Sequence, residues 1–337
     1  MSNALLNISK DGDLMIESNN VRISLDRRER ESDIDFISHA HTDHLGAARS
    51  SKGVLASPQT MELIESAYGI SLRNRVPCME NMRLIEAGHM LGSRQLSISS
   101  EEGGARITYT GDFKTSRSRT VKPIEVVDSD MLIMDSTYAD SLLHFDDKDE
   151  VESALQDWTM GKIKNGIVVF SAYAMGKAQE LIAILNEVGI KPLISRKISR
   201  VSRVYQDNGV RLEYSSAYDS DESYDSLVHE NFVGITDSRG LPSFRAALQA
   251  AHNKRVYTAV ATGFAKIFRF DTDAQFPLSD HADFSQSVDY IEASHSSKVL
   301  TYGPNAGQFA ANLSREGYDA EPFSDSAAAA MMAVRRA

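Results

Sequence analysis

Between Ser38 and His44 the chain reads Ser-His-Ala-His-Thr-Asp-His, placing three histidines and an aspartate within the six positions 39 to 44. Imidazole nitrogens and carboxylate oxygens form a donor set that suits zinc, and a shell left incomplete by the protein keeps a position for water. Alternation along a strand finishing near Ser38 puts His39 and His41 on one side of the chain, where they can share one ion. A turn into a helix then sends Asp43 and His44 another way, toward a second ion close to the first. A lone histidine is most often a satisfied core or surface residue. Ordinary packing and surface pressure do not produce a cluster of this density.

Such an ion needs ligands from elsewhere, and two downstream segments offer them. In Glu86-Ala87-Gly88-His89-Met90-Leu91-Gly92-Ser93 a histidine lies between glycines, where a tight loop can bring its ring to a metal. In Arg106-Ile107-Thr108-Tyr109-Thr110-Gly111-Asp112-Phe113 a strand pattern ends in Gly-Asp and presents a carboxylate able to bridge two cations. Alone, neither is specific, and Gly-Asp at a strand end is more often a plain turn. The cluster at 39 to 44 is what makes both of them candidates.

In order and spacing, His39-x-His41-x-Asp43-His44 followed by His89 and Gly111-Asp112 resembles the ligand string of the metallo-β-lactamase superfamily. Asp26, in Ile23-Ser24-Leu25-Asp26, matches the early strand-end aspartate that in this superfamily supports the metal loops without ligating. Later segments resemble the β-CASP nuclease branch. The run from Met131 to Tyr138, containing Asp135, is similar to its acidic first motif. The run from Val168 to Glu180 is similar to the strand, turn and helix leading into its inserted domain. The run from Phe276 to Phe284 is similar to its second motif, with His281 as the motif histidine. The resemblance spans Asn20 to Phe323 and is nearest to short prokaryotic members, among them ligase-associated exonucleases and archaeal proteins labelled as messenger RNA 3′-end processing factors.

The resemblance implies an α/β fold: an αββα metallo-β-lactamase sandwich built from residues 1–165 and 263–337, with a smaller α/β β-CASP domain inserted at 166–262. It implies zinc as cofactor, one or two ions, with manganese able to substitute in vitro. His39, His41, His89 and Asp112 would hold the first ion, and Asp43, His44 and the bridging Asp112 the second. Asp43, His281 and Asp135 are the implied catalytic residues. Asp43 helps to position the nucleophile, His281 gives a proton to the leaving oxygen, and Asp135 is hydrogen-bonded to His281 and raises its pKa. The implied reaction is hydrolysis of phosphodiester bonds in single-stranded nucleic acid by a metal-activated hydroxide. RNA processing or exonuclease action stands ahead of DNA exonuclease action. Lys177, where a helix amino terminus can receive a phosphate, and Lys114, just after Asp112, are the candidate substrate-phosphate contacts.

One position departs from the pattern. RNA-cleaving β-CASP enzymes carry a histidine before the glycine of a third motif, whereas this chain reads Leu300-Thr301-Tyr302-Gly303. A neutral phenol, with a reference pKa of about 10, is a poor zinc ligand, so the second site is expected to bind more weakly. The DNA-processing Artemis-like branch has an apolar residue there, so loss of the histidine does not by itself abolish activity. Two other functional classes share these residues. A small-molecule metallohydrolase of the same fold needs the ligands but has no use for Asp135 and His281. A nucleic-acid-processing subunit that has lost catalysis usually loses ligands of the first cluster, and here they are intact. In the plainest reading Asp135 caps the turn at Ser136-Thr137, and Ser279, Asp280 or Asp283 caps a helix starting near Ala282.

The chain has 337 residues, 42% hydrophobic and 25% charged, enough for one sizeable core or two moderate ones. No segment approaches the roughly 20 uninterrupted apolar residues of a membrane span, and the amino terminus lacks the basic-then-apolar run of a secretory signal. The expected location is the cytoplasm, without membrane association. The single cysteine, Cys78, cannot form an internal disulfide and is expected to be a buried small hydrophobe. A net charge of −11 works against binding phosphate backbones at long range. Local cations must overcome it: Lys114, Arg117, Arg119 and Lys122 after Asp112, and Arg196, Lys197, Arg200 and Arg203 in the insert. Glu213, Asp219, Asp221, Glu222 and Asp225 read as a polar surface stretch. The expected partner is single-stranded RNA or DNA; a homodimer is allowed, with no residue arguing for it. Tyr173, Tyr138 and Phe113 could stack on a base, although aromatic residues are more often core.

These groups have to be positioned by a sheet. Alternation at Leu14 to Glu17, Val21 to Leu25 and Gln95 to Ile98 predicts half-buried strands. The apolar spacing turns helical from Lys148 to Lys164 and from Met175 to Val188, where Gly189 is a natural stop. A strand at Val168 to Ser171, the helix after it, and Pro192-Leu193-Ile194 give a β-α-β rhythm that predicts a parallel sheet. The alanines at 327–330 are expected to belong to a closing helix.

Overall fold

The protein is described from a computed structural model, covering residues 7–8, 14–100, 105–216, 230–237, 241–252 and 254–323. Asp219, Asp221, Glu222 and Asp225 of the polar stretch and the alanines at 327–330 lie outside the described residues. Two units emerge, one made of residues 1–117, 121–144 and 281–337, the other of 118–120 and 145–280. The second unit is wider than the expected 166–262. It takes in the helix Lys148–Ile163, whose Trp158 packs its ring against Phe170 and Phe276, and the run up to Asp280.

The first unit contains two sheets. One is ordered β1 (Asn7–Ile8), β2 (Met15–Ser18), β3 (Val21–Leu25), β4 (Ile34–Phe36) and β5 (Gly53–Leu55). The other is ordered β17 (Ala320–Pro322), β16 (Lys298–Tyr302), β9 (Met131–Asp135), β8 (Arg106–Tyr109), β7 (Arg94–Ser99) and β6 (Met82–Glu86). The period-two alternation of a strand sorts their side chains. Ile133 and Leu300 enter a core shared by both sheets, with Ile16, Ile23, Leu25 and Phe36 from one and Leu96, Ile98 and Tyr109 from the other. Leu132, Met134 and Val299 point to the opposite face. There they meet Phe284 and Ile291 of the helix Phe284–Ala293 and Phe309 and Leu313 of the helix Ala306–Arg315. Each such side chain withdrawn from water contributes about 1.5–3 kcal/mol. The helix Pro58–Tyr68 buries Met61, Leu63 and Ile64. The fold is an α/β sandwich, as expected.

The second unit is built on one sheet ordered β12 (Ser215–Ser216), β11 (Leu193–Ile194), β13 (Val233–Thr236), β10 (Ile167–Ser171), β14 (Val256–Ala261) and β15 (Ala274–Phe276), with every pairing parallel. Parallel sheets are covered on both faces, which is why β10 and β14 are buried along their whole length. Ile167, Val169 and Val256 face Leu248 of the helix Leu241–His252.

Cys78 is exposed, not buried as expected. In the loop before β6, Val76 and Met79 pack on the core, and Cys78 between them faces outward. No helix among the described residues is long and apolar enough to cross a membrane.

Candidate metal centre

All the ligand candidates lie in the first unit, on the loops that leave the carboxyl ends of β4, β6 and β8. β4 ends at Phe36, but Ile37 N still donates to Leu55 O at 2.9 Å, so the chain remains extended into the cluster. A single 3-10 turn, Thr42–His44, then redirects Asp43 and His44. The turn is shorter than the helix foreseen at this point.

Asp26 anchors these loops. It follows β3 with a left-handed φ of 58°, a conformation sparsely populated by residues other than glycine and retained where the surroundings enforce it. Its Oδ1 accepts from Ser38 N at 2.6 Å, and its Oδ2 accepts from Ser38 Oγ at 2.6 Å and from the Tyr109 hydroxyl at 2.7 Å. His44 Nδ1 lies 2.8 Å from the same Oδ2. Four donors occupy the carboxylate, an arrangement that fits the supporting role expected of Asp26, although with His39 and His44 it also lies close enough to hold an ion.

The Ser38 hydroxyl fixes the tautomer of His39. It has one proton, which goes to Asp26, so its oxygen accepts from His39 Nδ1 at 2.9 Å. His39 Nε2 is then a lone pair. It is fully buried, has no hydrogen-bond partner, and lies 3.6 Å from Asp112 Oδ2. Burial, reinforced by His44, pushes the His39 pKa well below the ordinary histidine value and keeps the ring neutral. An orphaned imidazole lone pair in a dry pocket is costly unless a cation takes it.

Asp112 gathers the remaining rings. Its Oδ2 lies 3.4 Å from His44 Nε2, 3.8 Å from His89 Nε2 and 3.9 Å from His281 Nε2. Burial opposes its charge, but His44 and His281 outweigh that and hold its pKa well below the carboxylate range. Burial likewise opposes a charged His44, and Asp112 and Asp26 overcome it, raising the His44 pKa well above its ordinary value. His89 Nε2 stands 3.1 Å from His41 Nδ1. One ligand atom each from His39, His41, His89 and Asp112 falls within 4.8 Å of the others, a donor set that fits a borderline divalent cation such as zinc.

Two glycines permit this approach. Gly88 has φ 79°, and a Cβ there would meet Lys114 O at 2.5 Å and Ile124 N at 2.6 Å. Gly111 has φ 58°, and a Cβ there would press on Ser38 Cβ at 2.7 Å. The first lets the His89 loop sit on the backbone of its neighbour, and the second lets Asp112 come up beside the residue preceding His39.

A third group borders these ligands. His281 Nδ1 is 2.9 Å from Asp135 Oδ2, while Asp135 Oδ1 accepts from Thr137 N at 3.0 Å and Thr137 Oγ1 at 2.7 Å. Asp135 therefore caps the turn and orients His281 at once, one oxygen for each. Asp112, Asp135 and His281 also lie close enough together to hold an ion. The helix cap foreseen between Ser279 and Asp283 is Asp283, in a capping box with Gln286.

The other expected residues lie differently. The Asp43 side chain is 45% exposed, with Oδ2 3.9 Å from His44 Nε2, at the rim of the cluster. Lys114 is buried. In the second unit Lys177 is buried too, its ammonium donating to Leu278 O at 2.7 Å and Asp280 Oδ1 at 2.5 Å. Arg119 is committed to Glu152 and Glu187 at 2.7 and 2.6 Å. Of the three aromatics considered for stacking, Phe113 and Tyr138 are buried and Tyr173 is 53% exposed. Tyr302 ends β16 in register with Asp135, its ring 5.1 Å from that of Tyr109 and its hydroxyl buried. Burial, then Tyr109 and Asp112, push its pKa well above the phenol value, so it remains neutral. Ser38 and Tyr109 were not singled out from sequence. The sole hint was a polar residue at each of two strand ends, and only the long-range contact with Asp26 reveals what they do.

No family model matches the chain. Over 292 residues it is 27% identical to a probable DNA ligase of Opitutus terrae, covering 85% of this chain and 28% of that protein. It is 30% identical over 184 residues to an RNase J-like protein of Methanocaldococcus jannaschii, covering 46% and 43%. It is 32% identical over 127 residues to an uncharacterised protein in the lig 3′ region of Acidianus ambivalens, covering 37% and 86%. The chain thus spans less than half of the first two relatives. Among solved structures, a protein of unknown function from Enterococcus faecalis matches with TM-score 0.57 at 12% identity, over 88% of this chain and 92% of that one, which shows a shared fold. With its ligand string, its Asp135 and His281 motifs and these relatives, the chain belongs to the β-CASP branch of the metallo-β-lactamase superfamily.

Proposed function

We propose that the chain is a metal-dependent nuclease that hydrolyses phosphodiester bonds of single-stranded nucleic acid, with RNA favoured and DNA close behind. The observation that carries this reading is the convergence of four imidazole nitrogens on Asp112 Oδ2, beside a histidine oriented by its own carboxylate. His39, His41, His89 and Asp112 would hold one zinc, and Asp43, His44 and Asp112 a second, weaker ion. A divalent cation bound there would lower the pKa of water toward neutrality and offset charge on phosphoryl oxygens. Manganese fits the same donors in vitro.

The chain's own groups do the rest. Asp26 and Ser38 hold His39 and His44 in fixed orientations, which spares reorganisation when substrate arrives. Asp135 accepts from His281 Nδ1, so the proton available to a leaving oxygen is the one on Nε2, the atom that faces Asp112. Asp43, at the rim, is suited to receive a proton from incoming water. Lys177 fixes Asp280, the residue before His281, which favours a positioning role over the phosphate contact expected of it. Lys114 is buried as well and remains the candidate phosphate contact in the first unit. Arg196, Lys197, Arg200 and Arg203 are exposed along one helix and supply local charge for a backbone that the net charge repels. With one cysteine and no internal disulfide to make, the cytoplasm is the location we favour.

The test is a cleavage time course on matched single-stranded RNA and DNA labelled at either end, with zinc or manganese, beside Asp112→Ala and a chelator control. Ladder or mononucleotide products lost in both controls support the nuclease and reveal its polarity and sugar preference. Zinc-loaded protein that cleaves neither polymer sinks the reading.

A further inference from the structure

In the second unit the segment Lys266-Ile267-Phe268-Arg269-Phe270 displays large apolar side chains to water. Ile267 is 50% exposed, Phe268 56% and Phe270 37%. The Phe264 ring stands 5.9 Å from that of Phe268. Apolar area left in water is unfavourable, and a contiguous patch of it marks an interaction surface.

The segment is held in place. It begins with the 3-10 turn Gly263–Lys266, capped by Thr262, whose Oγ1 accepts from Phe264 N. Ile267 N and Phe268 N both donate to Phe264 O, at 2.9 and 2.8 Å. The Gln275 side chain bridges the rest: Nε2 donates to Ala265 O at 2.7 Å and Phe268 O at 3.3 Å, and Oε1 accepts from Phe270 N at 3.3 Å. One amide therefore fixes the backbone on both sides of the rings while the rings themselves point away from the core.

Topology adds a third aromatic. β10 and β14 are parallel neighbours, with Ser171 in register with Val260. Tyr173, 53% exposed, comes two residues after β10, and the phenylalanine segment follows β14. The two therefore leave the same carboxyl-terminal edge of the sheet from strands about 4.8 Å apart, the edge where open parallel sheets bind their ligands.

We propose that Phe268, Phe270 and Tyr173 form a base-stacking platform for single-stranded nucleic acid, with Arg269 contacting its phosphates. The proposal rests on the nuclease reading above and adds a subsite to it. The alternation of rings and cations is what favours a nucleic acid. Stacking needs only the π-face that every base has, and a guanidinium between two rings meets the backbone that joins the bases. Lys266 is paired with Asp146 at 2.7 Å, which leaves Arg269 as the cation between the rings. A second copy of the chain is a poorer occupant, because a two-fold interface centred on the rings would press Arg269 against its own counterpart. Binding here is accordingly expected to be indifferent to base identity.

The test measures equilibrium affinity of the full chain for fluorescein-labelled twelve-nucleotide oligo(dT) and oligo(U), in chelator to prevent cleavage, with circular dichroism to check folding. The variants are Phe268→Ala/Phe270→Ala and Phe268→Leu/Phe270→Leu, and an abasic strand is the control ligand. Affinity should fall roughly tenfold for each ring removed, in the leucine variant as well as the alanine one, and the abasic strand should bind the native protein as weakly as the variants bind oligo(dT). Unchanged affinity in folded variants, with metal-dependent cleavage by the native chain intact, overturns the platform and leaves the nuclease standing. Unchanged affinity together with a native dimer that becomes monomeric in the variants assigns the patch to a second copy. Absence of strand binding by the native chain overturns the platform, and absence of cleavage in the separate time course overturns the nuclease.

Discussion

Asp26 and His44 are 18 residues apart in the chain, yet Asp26 Oδ2 lies 2.8 Å from His44 Nδ1. The same oxygen takes the Ser38 hydroxyl, and through it the orientation of His39. One carboxylate thus aims two imidazoles at Asp112 from behind. Replacing it tests how much of the metal affinity comes from aim.

Asp26→Asn keeps the size but puts an amide where one of the two accepting oxygens was. Partners of this kind are worth about 10–100-fold in metal affinity or activity. Zinc titration by calorimetry should show a loss of that order in a protein whose circular dichroism is native. Native affinity in the variant would mean that the rings are fixed by packing alone.

His281 is either an acid or a ligand, and the two roles separate cleanly. As an acid oriented by Asp135, its replacement in His281→Ala should lower turnover about 10²–10⁴-fold while the zinc content per chain stays native. Asp135→Asn should give a smaller loss and, with the ring no longer paired to a carboxylate, a shift of the alkaline limb of the pH–rate profile, where the acid loses its proton, to lower pH. A His281→Ala protein that loses zinc makes His281 a ligand, in the group that it forms with Asp112 and Asp135.

Tyr302 stands where related RNA-cleaving enzymes carry a histidine. Its buried phenol stays neutral and offers a metal little. Tyr302→His exchanges that phenol for an imidazole at the end of β16, in register with Asp135. Zinc per chain after dialysis against low free metal should rise from near one toward two. An unchanged ratio would mean that the site is filled by two ions, or by one, without help from position 302.

How much of this was legible beforehand depended on sequence distance. His39, His41 and His44 advertise themselves because they are neighbours, and the alternation of β9 and β16 predicts which side chains enter the core. His89 and Asp112 became candidates because the first cluster called for partners and their glycine-flanked and strand-end settings could supply them, while the motif matches added Asp135 and His281, which no local pattern would have joined. What stayed hidden were contacts made by folding: the Tyr109 hydroxyl reaching Asp26 across 83 residues, and Lys177 reaching Asp280 across 103. Cys78 went the other way, because a loop's alternation against the core leaves no mark in composition. The exposed phenylalanines were invisible for the same reason, since aromatic residues in a sequence read as core until a structure shows them in water.

The net charge of −11 leaves the question of how a phosphate backbone is held at all. The helix Arg196–Asp207 turns Ile198, Val201, Val204 and Tyr205 inward and leaves Arg196, Lys197, Arg200 and Arg203 exposed. Arg196, Arg200 and Arg203 follow i, i+4, i+7 spacing and so lie along one face. If this face tracks the strand, each phosphate contact it makes contributes about 0.7 to the slope of log K against log salt for a single strand. Arg200→Ala/Arg203→Ala should then flatten the slope by roughly 1.4 and weaken binding at low salt far more than at high salt. An identical slope in the double variant would return this helix to the role of a solvated face, and the charge that holds the strand would have to be sought elsewhere in the chain.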